Sequence, residues 1–246
     1  MNKTIWIYWH TGYNTAPEIC KACYNSWVEK NPDWNVIMLC DDNMEKYIPL
    51  KEWNRVLRYP TKTNHSELIR LYLIGRYGGV YTDITNYCIA PIDDWLKPGM
   101  LVDDSWFHWD YNSDIPTFNY IYTTRPGHEK YMHYYDLMVS DEELRTAPGY
   151  LRMVFRFTDL IQGTDFIEVK NKQIGRSSNS TTPKQGTKII ANCHKLMNQP
   201  VDQNFREAVS LYPFFKLTWK FENNDIPLES RFRKNSKLLY LLSYKS

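Results

Sequence analysis

No stretch of this chain is apolar for long enough to cross a bilayer, and none near its start has the apolar core of a secretion signal. The expectation is a cytoplasmic protein in a reducing compartment. Cysteine is sparse and odd in number, five in all, which argues against a disulfide framework. The only close pair, Cys20 and Cys23, lacks a second pair or a His pair to complete a zinc site. Both fall on a helical pattern with Ile19 and Trp27, so packing is the favoured role. Charge of either sign is not in excess: the net is +2, which gives no basic surplus for nucleic acid. A Ser-His-Asp order, a P-loop and a G-x-G-x-x-G fingerprint are all missing. Internal repeats are missing too, as is any linker between domains, and residues 1–246 read as a single domain. At 246 residues the chain is long enough to bury a full core.

Aromatic residues are plentiful, 15% of the chain with nine Trp and nineteen Tyr. Flat amphipathic side chains suit sugar rings and bases, and they equally suit a Tyr-rich core and surface. Residues 4–9 (TIWIYW) have the β-branched and aromatic character of a strand. A helical pattern over 17–30 opens on Pro17 and is stopped by Asn31-Pro32. Trp34 to Leu39 reads as a second strand, followed by a turn at Cys40-Asp41-Asp42-Asn43. Short helices are expected at 43–48 and 51–58. A stronger one spans 65–77, with Leu68, Leu71, Tyr72 and Gly75 on one face and Gly78 as its stop. Val80 to Thr82 is a third strand. This alternation predicts an α/β fold with a mixed, mainly parallel sheet flanked by helices.

The second half is less regular. Residues 103–122 mix Trp, Phe and Tyr with aspartates, and Lys130 to Val139 and Leu151 to Ile161 look helical. The polar, Ser/Thr-rich run 171–188 reads as a mobile loop. The tail 231–246 is basic around a Leu-Leu-Tyr-Leu-Leu centre. It is either a helix lying on an anionic membrane surface or a helix packed on its own domain with a solvated basic face.

Ligands of open α/β sheets gather beyond the carboxyl ends of the strands, and Asp83 follows Val80-Tyr81-Thr82 there. Glu67 and Arg70, three residues apart on one helix face, lead into the same strand through Gly78-Gly79. Asp41-Asp42 reads as a strand-end turn, with ligand contact as the alternative. Asp93-Asp94 reads as a helix start. Asp103, Asp104, His108 and Asn119, in the aromatic-rich region, are candidates for lining a second binding pocket, and Lys216 and His194 are late candidates for the Asp83 site.

The segment HSELIRLYLIGRYGGVYTDIT resembles the central signature of sugar transferases with the DXD motif: an acid, two residues, an Arg, then G-G-apolar-aromatic-x-D-x-D. IWIYWHTG and SWVEKNPDWNVIMLCDD resemble the opening units of that family, and IAPIDDWL fits the stretch after the motif. Within it the chain is most similar to bacterial capsular polysaccharide synthesis proteins, where the motif often reads D-x-T. The resemblance implies a GT-A type Rossmann-like fold and retaining transfer from a UDP- or GDP-sugar to a glycan acceptor, free or lipid-linked, with Mn2+ or Mg2+ as cofactor. Residues 1–100 are then the nucleotide-sugar-binding part, 101–230 the acceptor-side part and 231–246 the basic amphipathic tail, whose membrane alternative would set the protein at the inner face of the cell membrane. Trp9 would stack on the donor base, and Glu67 and Arg70 would hold sugar, ribose or diphosphate. Asp83 and Thr85 would stand at the metal, and Lys216 would lean on the diphosphate. Thr85, where the fuller motif has a carboxylate, leaves open a second outcome: a degenerate transferase fold that binds a glycan or partner without catalysis. A protein-modifying transferase shares the same core signature.

Overall fold

The computed structural model describes residues 3–95, 105–109, 118–123, 127, 129–146, 168–170, 176–177, 197–211, 214–217 and 226–244. The first half runs β1 (Thr4–Tyr8), α1 (Glu18–Lys30), β2 (Asn35–Leu39), a 3-10 turn (Asp41–Lys46), α2 (Leu50–Val56), α3 (Lys62–Tyr77), β3 (Gly79–Thr82), β4 (Asn86–Cys88) and α4 (Ile92–Trp95). There follow β5 (Ser105–Trp109), β6 (Phe118–Thr123), α5 (Glu129–Ser140), α6 (Glu142–Thr146), β7 (Glu168–Lys170) and β8 (Arg176–Ser177). The described chain closes with α7 (Gln203–Leu211), β9 (Phe214–Lys216), α8 (Leu228–Arg231) and α9 (Lys237–Ser243).

Six strands form the main sheet in the order β2-β1-β3-β6-β5-β7. β1 runs parallel to β2 and β3, with Thr4 opposite Asn35 and Ile5 opposite Val80. β6 then lies antiparallel to both β3 and β5, and β7 is parallel to β5. The sheet is therefore mixed, as expected, with a parallel half that carries the strand-helix alternation. A second sheet, β4-β9-β8, lies beside it.

β1 shows how one strand serves two cores. Successive strand side chains point to opposite faces. Ile5 and Ile7 join Cys20, Cys23 and Trp27 of α1 on one face, while Trp6 and Tyr8 join α2, α3 and α5 on the other. α3 is the inner helix of that second layer and buries nearly its whole length. At Gly75 an added Cβ would come within 2.9 Å of Met132 Sδ, so the missing side chain lets α5 close against it. Thr61 caps α3 by accepting from the Asn64 amide, which moves the start to Lys62, a turn earlier than the apolar periodicity predicts.

The tail takes the packed alternative: Leu238 and Leu241 of α9 are wholly buried in the core shared with α1, α7, β4 and β9, and Leu239 and Leu242 are half-buried against it. Ser236 caps this helix, and the Tyr87 hydroxyl donates to the Leu242 carbonyl. The packed alternative holds because those leucines gain more from a dry core of aromatic neighbours than from an interface. Within the run 171–188, Arg176 and Ser177 form a strand parallel to β9. The rest of that run and Leu151 to Ile161 lie outside the described residues. Cys20, Cys23 and Cys88 are buried and outside any disulfide, and no group of three metal-binding side chains occurs among the described residues. Among them, too, no helix is long and apolar enough to cross a membrane.

The Gly78-Gly79 turn permits the sheet. Both have positive φ, 70° and 86°. A Cβ on Gly79 would stand 2.4 Å from the Thr4 carbonyl oxygen, where β3 meets β1. Gly127 also has positive φ but open space around it. Gly79→Ala is therefore expected to lower unfolding stability by about 2–4 kcal/mol, from left-handed strain plus backbone overlap. Gly127→Ala should cost only the strain, about 1–2 kcal/mol. Urea denaturation of the two variants side by side checks the difference.

Candidate active site

The carboxyl end of β3 runs straight into a tight turn, in which the Asn86 amide donates to the Asp83 carbonyl. Asp83 stays partly exposed at the head of that turn, while Ile84 and Thr85 are buried in it. α3 approaches the same point from below, because Gly78-Gly79 reverses the chain within two residues. Arg70 is thereby brought to Asp83: its guanidinium donates to Asp83 Oδ1 at 2.9 Å and lies 3.1 Å from Glu67 Oε1. The Arg70 side chain is only 2% exposed, against 8% for Glu67 and 22% for Asp83. The guanidinium also lies 5.0 Å from the Tyr81 ring centre, and Ser66 Oγ is 3.1 Å from the Tyr81 hydroxyl.

A buried cation is tolerable only when anions and donors are placed around it in advance. Here two carboxylates, a hydroxyl and an aromatic face do so, and three of those four come from fixed positions on α3 and β3. Burial pushes the Tyr81 hydroxyl well above its ordinary pKa, with Asp83 adding to the rise and Arg70 opposing it. Tyr81 thus stays a neutral hydroxyl at any physiological pH.

These residues open into a cavity of about 370 Å³. Arg70, Asp83 and Thr85 line it together with Trp9 and His10, at the carboxyl end of β1, and with Lys62 and Thr63 from the first turn of α3. Lys62 Nζ donates to Asp41 Oδ2 at 2.6 Å, and the Tyr8 hydroxyl donates to Asp41 Oδ1 at 2.7 Å. Burial, then the bond to Asp41, raises the Tyr8 pKa far out of range. Two cationic and two anionic side chains line the cavity, so its described wall is near neutral.

The structure brings Trp9, Glu67, Arg70, Asp83 and Thr85 to one cavity. Thr85 is buried in the turn, and its carbonyl accepts from the Leu217 amide at 2.7 Å. That bond sets β9 beside the turn: Lys216 pairs in register with Asn86, although only its backbone is described. His108 and Asn119 are likewise described in backbone alone. Thr82 pairs with Tyr120 and Tyr120 with His108, so both candidates lie at the sheet edge from which Asp83 emerges. The register slips between His108 and Trp109, which makes Asn119 the extra residue of a bulge on β6. Asp103, Asp104 and His194 fall outside the described residues. Asp93 pairs with Lys3, away from this cavity. Asp41 does end β2 in a turn and also reaches the cavity wall through Lys62.

Sequence reading did not single out Tyr8, His10, Lys62, Thr63, Ser66 and Tyr81. A signal for two of them, Lys62 and Ser66, was present. Lys62, Ser66 and Arg70 recur every four residues along a helix otherwise buried among apolar side chains, which is a polar stripe.

Comparison with known proteins then adds to this geometry. A family model described as capsular polysaccharide synthesis protein matches residues 1–234. An O-glycosyltransferase of Annulohypoxylon truncatum is 29% identical over 110 residues, 39% of this chain and 26% of that protein. The initiation-specific α-1,6-mannosyltransferase of Candida albicans is 26% identical over 108 residues, 41% of this chain and 28% of that one. The match thus spans little more than a quarter of each of these relatives. Among solved structures, a glycosyltransferase involved in the glycosylation of the major capsid of PBCV-1 superposes with a TM-score of 0.50. It does so over 91% of this chain and 98% of that one at 10% identity. The likeness is one of fold, the GT-A type.

Removing Arg70 takes away the cation that Glu67 and Asp83 share. Arg70→Met should lower unfolding stability by about 3–5 kcal/mol. Adding Glu67→Gln should restore some of the loss, since it neutralises the deeper of the two carboxylates. Chemical denaturation of the single and double variants tests this, and equal stabilities for both would contradict it.

Proposed function

The chain belongs to the capsular polysaccharide synthesis protein family, and on that premise we propose that it is a glycosyltransferase that uses a nucleotide-sugar donor. It moves the sugar to a glycan acceptor, with retention of anomeric configuration, in the synthesis of a capsular or other surface polysaccharide. The observation that carries this reading is the Glu67–Arg70–Asp83 cluster at the carboxyl end of β3, inside a cavity long enough to reach Trp9.

Each side chain has a physical role. Trp9 offers a flat face to the donor base. Arg70 is already braced by Glu67 and Asp83, so its guanidinium need not be ordered when the donor binds. The transition state of glycosyl transfer has oxocarbenium character, and the negative charge of Glu67 and Asp83 favours positive charge developing on the sugar. Tyr81 remains protonated and so available as a neutral donor.

A nucleoside diphosphate brings negative charge into a cavity whose described wall is near neutral, so the site fits a divalent cation that enters with the donor. Mg2+ and Mn2+ prefer oxygen ligands, and Mg2+ commonly takes one or two from protein and the rest from phosphates and water. Asp83 and Thr85 are the residues that would hold it. Its chemistry there would be to neutralise the departing diphosphate. The described residues offer no cluster of three metal ligands, which suits a shared ion rather than a closed cage. Thr85, a neutral hydroxyl where the fuller motif has a carboxylate, is what favours the second reading, a fold that binds glycan or partner without catalysis.

Incubation with a panel of UDP- and GDP-sugars, with and without Mn2+, separates the two. Donor hydrolysis or transfer that depends on Mn2+ and is abolished by Asp83→Asn is the expected outcome. Thr85→Val keeps the shape and removes the hydroxyl. It should raise the Mn2+ concentration needed for half-maximal activity roughly tenfold or more. If no donor binds or turns over across the panel, the transferase reading fails.

A further inference from the structure

Lys62 lines the same cavity as Arg70, and its place there is built rather than incidental. Both residues belong to α3, eight positions apart, which at the usual helical rise separates them by about 12 Å. Arg70 meets Asp83 at the place we assign to diphosphate and sugar. Lys62 is tied in its own place by two further bonds. Its ammonium is held on Asp41 Oδ2 at 2.6 Å. The backbone amide of Asp41 in turn donates to the His10 carbonyl at 3.0 Å, next to Trp9. Asp41 is itself fixed, because the hydroxyl of Tyr8, a buried residue of β1, donates to its other oxygen at 2.7 Å. A solvent-exposed Lys-Asp pair wanders among rotamers and means little. This one has its acceptor clamped from beneath and its donor on the first turn of a buried helix, while Lys62 keeps 44% of its side chain exposed along the cavity.

We propose that Lys62, positioned by Asp41, determines which nucleobase the donor site accepts, favouring bases with a carbonyl oxygen on the edge they present over bases with an amino group there. This rests on the transferase reading above. The chemistry is that of a group with donors only. An ammonium has three N–H donors and no lone pair. The exocyclic oxygen of uracil (O4) or guanine (O6) accepts from it. The exocyclic amino group of cytosine (N4) or adenine (N6) is a donor and meets it donor to donor. Trp9, Lys62 and Thr63 line the same cavity, so a base stacked on Trp9 would share it with the Lys62 ammonium, to which the proposal has it present that edge. Asp41 serves to hold the ammonium in place and is a positioning residue.

Uracil and cytosine share a ring size, as do guanine and adenine, so the two pairs isolate the exocyclic group from size and stacking. Binding of UDP, CDP, GDP and ADP in the presence of Mn2+ is measured by calorimetry on the full chain, for the wild type, Lys62→Met and Asp41→Asn. Thermal melting shows beforehand that each variant is folded. In the wild type UDP should bind at least about tenfold tighter than CDP, or GDP than ADP, as a hydrogen bond to a charged group allows. Lys62→Met should collapse that gap by weakening the oxo-base nucleotide and leaving its amino partner unchanged. Asp41→Asn retains an acceptor for Tyr8 and loosens Lys62, so it should shrink the gap without abolishing it. A gap that survives in Lys62→Met, or no gap in a wild type that binds UDP, overturns the assignment and leaves the transferase reading standing. If none of the four nucleotides binds the wild type, both fall.

Discussion

Arg70 is the fixed point of this molecule. A guanidinium that is nearly closed off from water costs several kcal/mol unless its charge is met. It is met by one acid a turn away on its own helix and another from beyond the end of a strand. Satisfying Arg70 therefore requires α3, the Gly78-Gly79 reversal, β3 and the Asp83 turn to stand in one arrangement. The same demand that stabilises the arrangement also concentrates charge at the sheet edge. Structure and site are two consequences of one buried ion.

The neighbouring Asp41 repeats this logic at smaller scale. It joins the end of β2 to β1 through Tyr8 and to α3 through Lys62. The parallel pairing of β1 with β2 makes this possible, because it sets Tyr8 level with Leu39 and so brings the residues after both strands together. Between the two clusters lies the cavity: Glu67, Arg70 and Asp83 of its wall brace one another, and Asp41 holds Tyr8 and Lys62 from outside it. Positions held in this way need little reordering when a ligand arrives, which is where binding energy is otherwise lost. The bulge that makes Asn119 an extra residue at the same sheet edge shows why the antiparallel half matters: it brings a second run of chain to the point where Asp83 emerges.

Much of this was legible from residues alone. The strand-helix alternation of 4–82, the glycine stop of α3, the spacing of Glu67, Arg70 and Asp83, and the burial of Cys20 and Cys23 all rest on local periodicity or turn chemistry. The resemblance to the family was carried by that same stretch, and the family model matches residues 1–234. Less legible was the tail, where an apolar centre among basic residues suits a membrane surface and a protein core equally. Only the presence of Phe205, Phe214 and Phe215 beside Leu238 and Leu241 resolves it. Lys62 was passed over for a similar reason. A lysine at a helix start has no distinguishing mark until Asp41, 21 residues earlier, is folded against it.

By itself the sequence determined what short-range physics can decide. That comprises which segments are helix or strand, where only glycine can turn the chain, and that an acid, an arginine and a strand-end acid recur at a spacing that lets them meet. The tertiary structure alone decided what depends on strand order and register. β6 enters antiparallel beside β3, β9 comes to lie against the Thr85 turn, and Asp41 clasps Lys62 over Tyr8. Such contacts join residues far apart in the chain, and their energy arises only once the sheet has formed and excluded water from around them. No window of neighbouring residues contains that information.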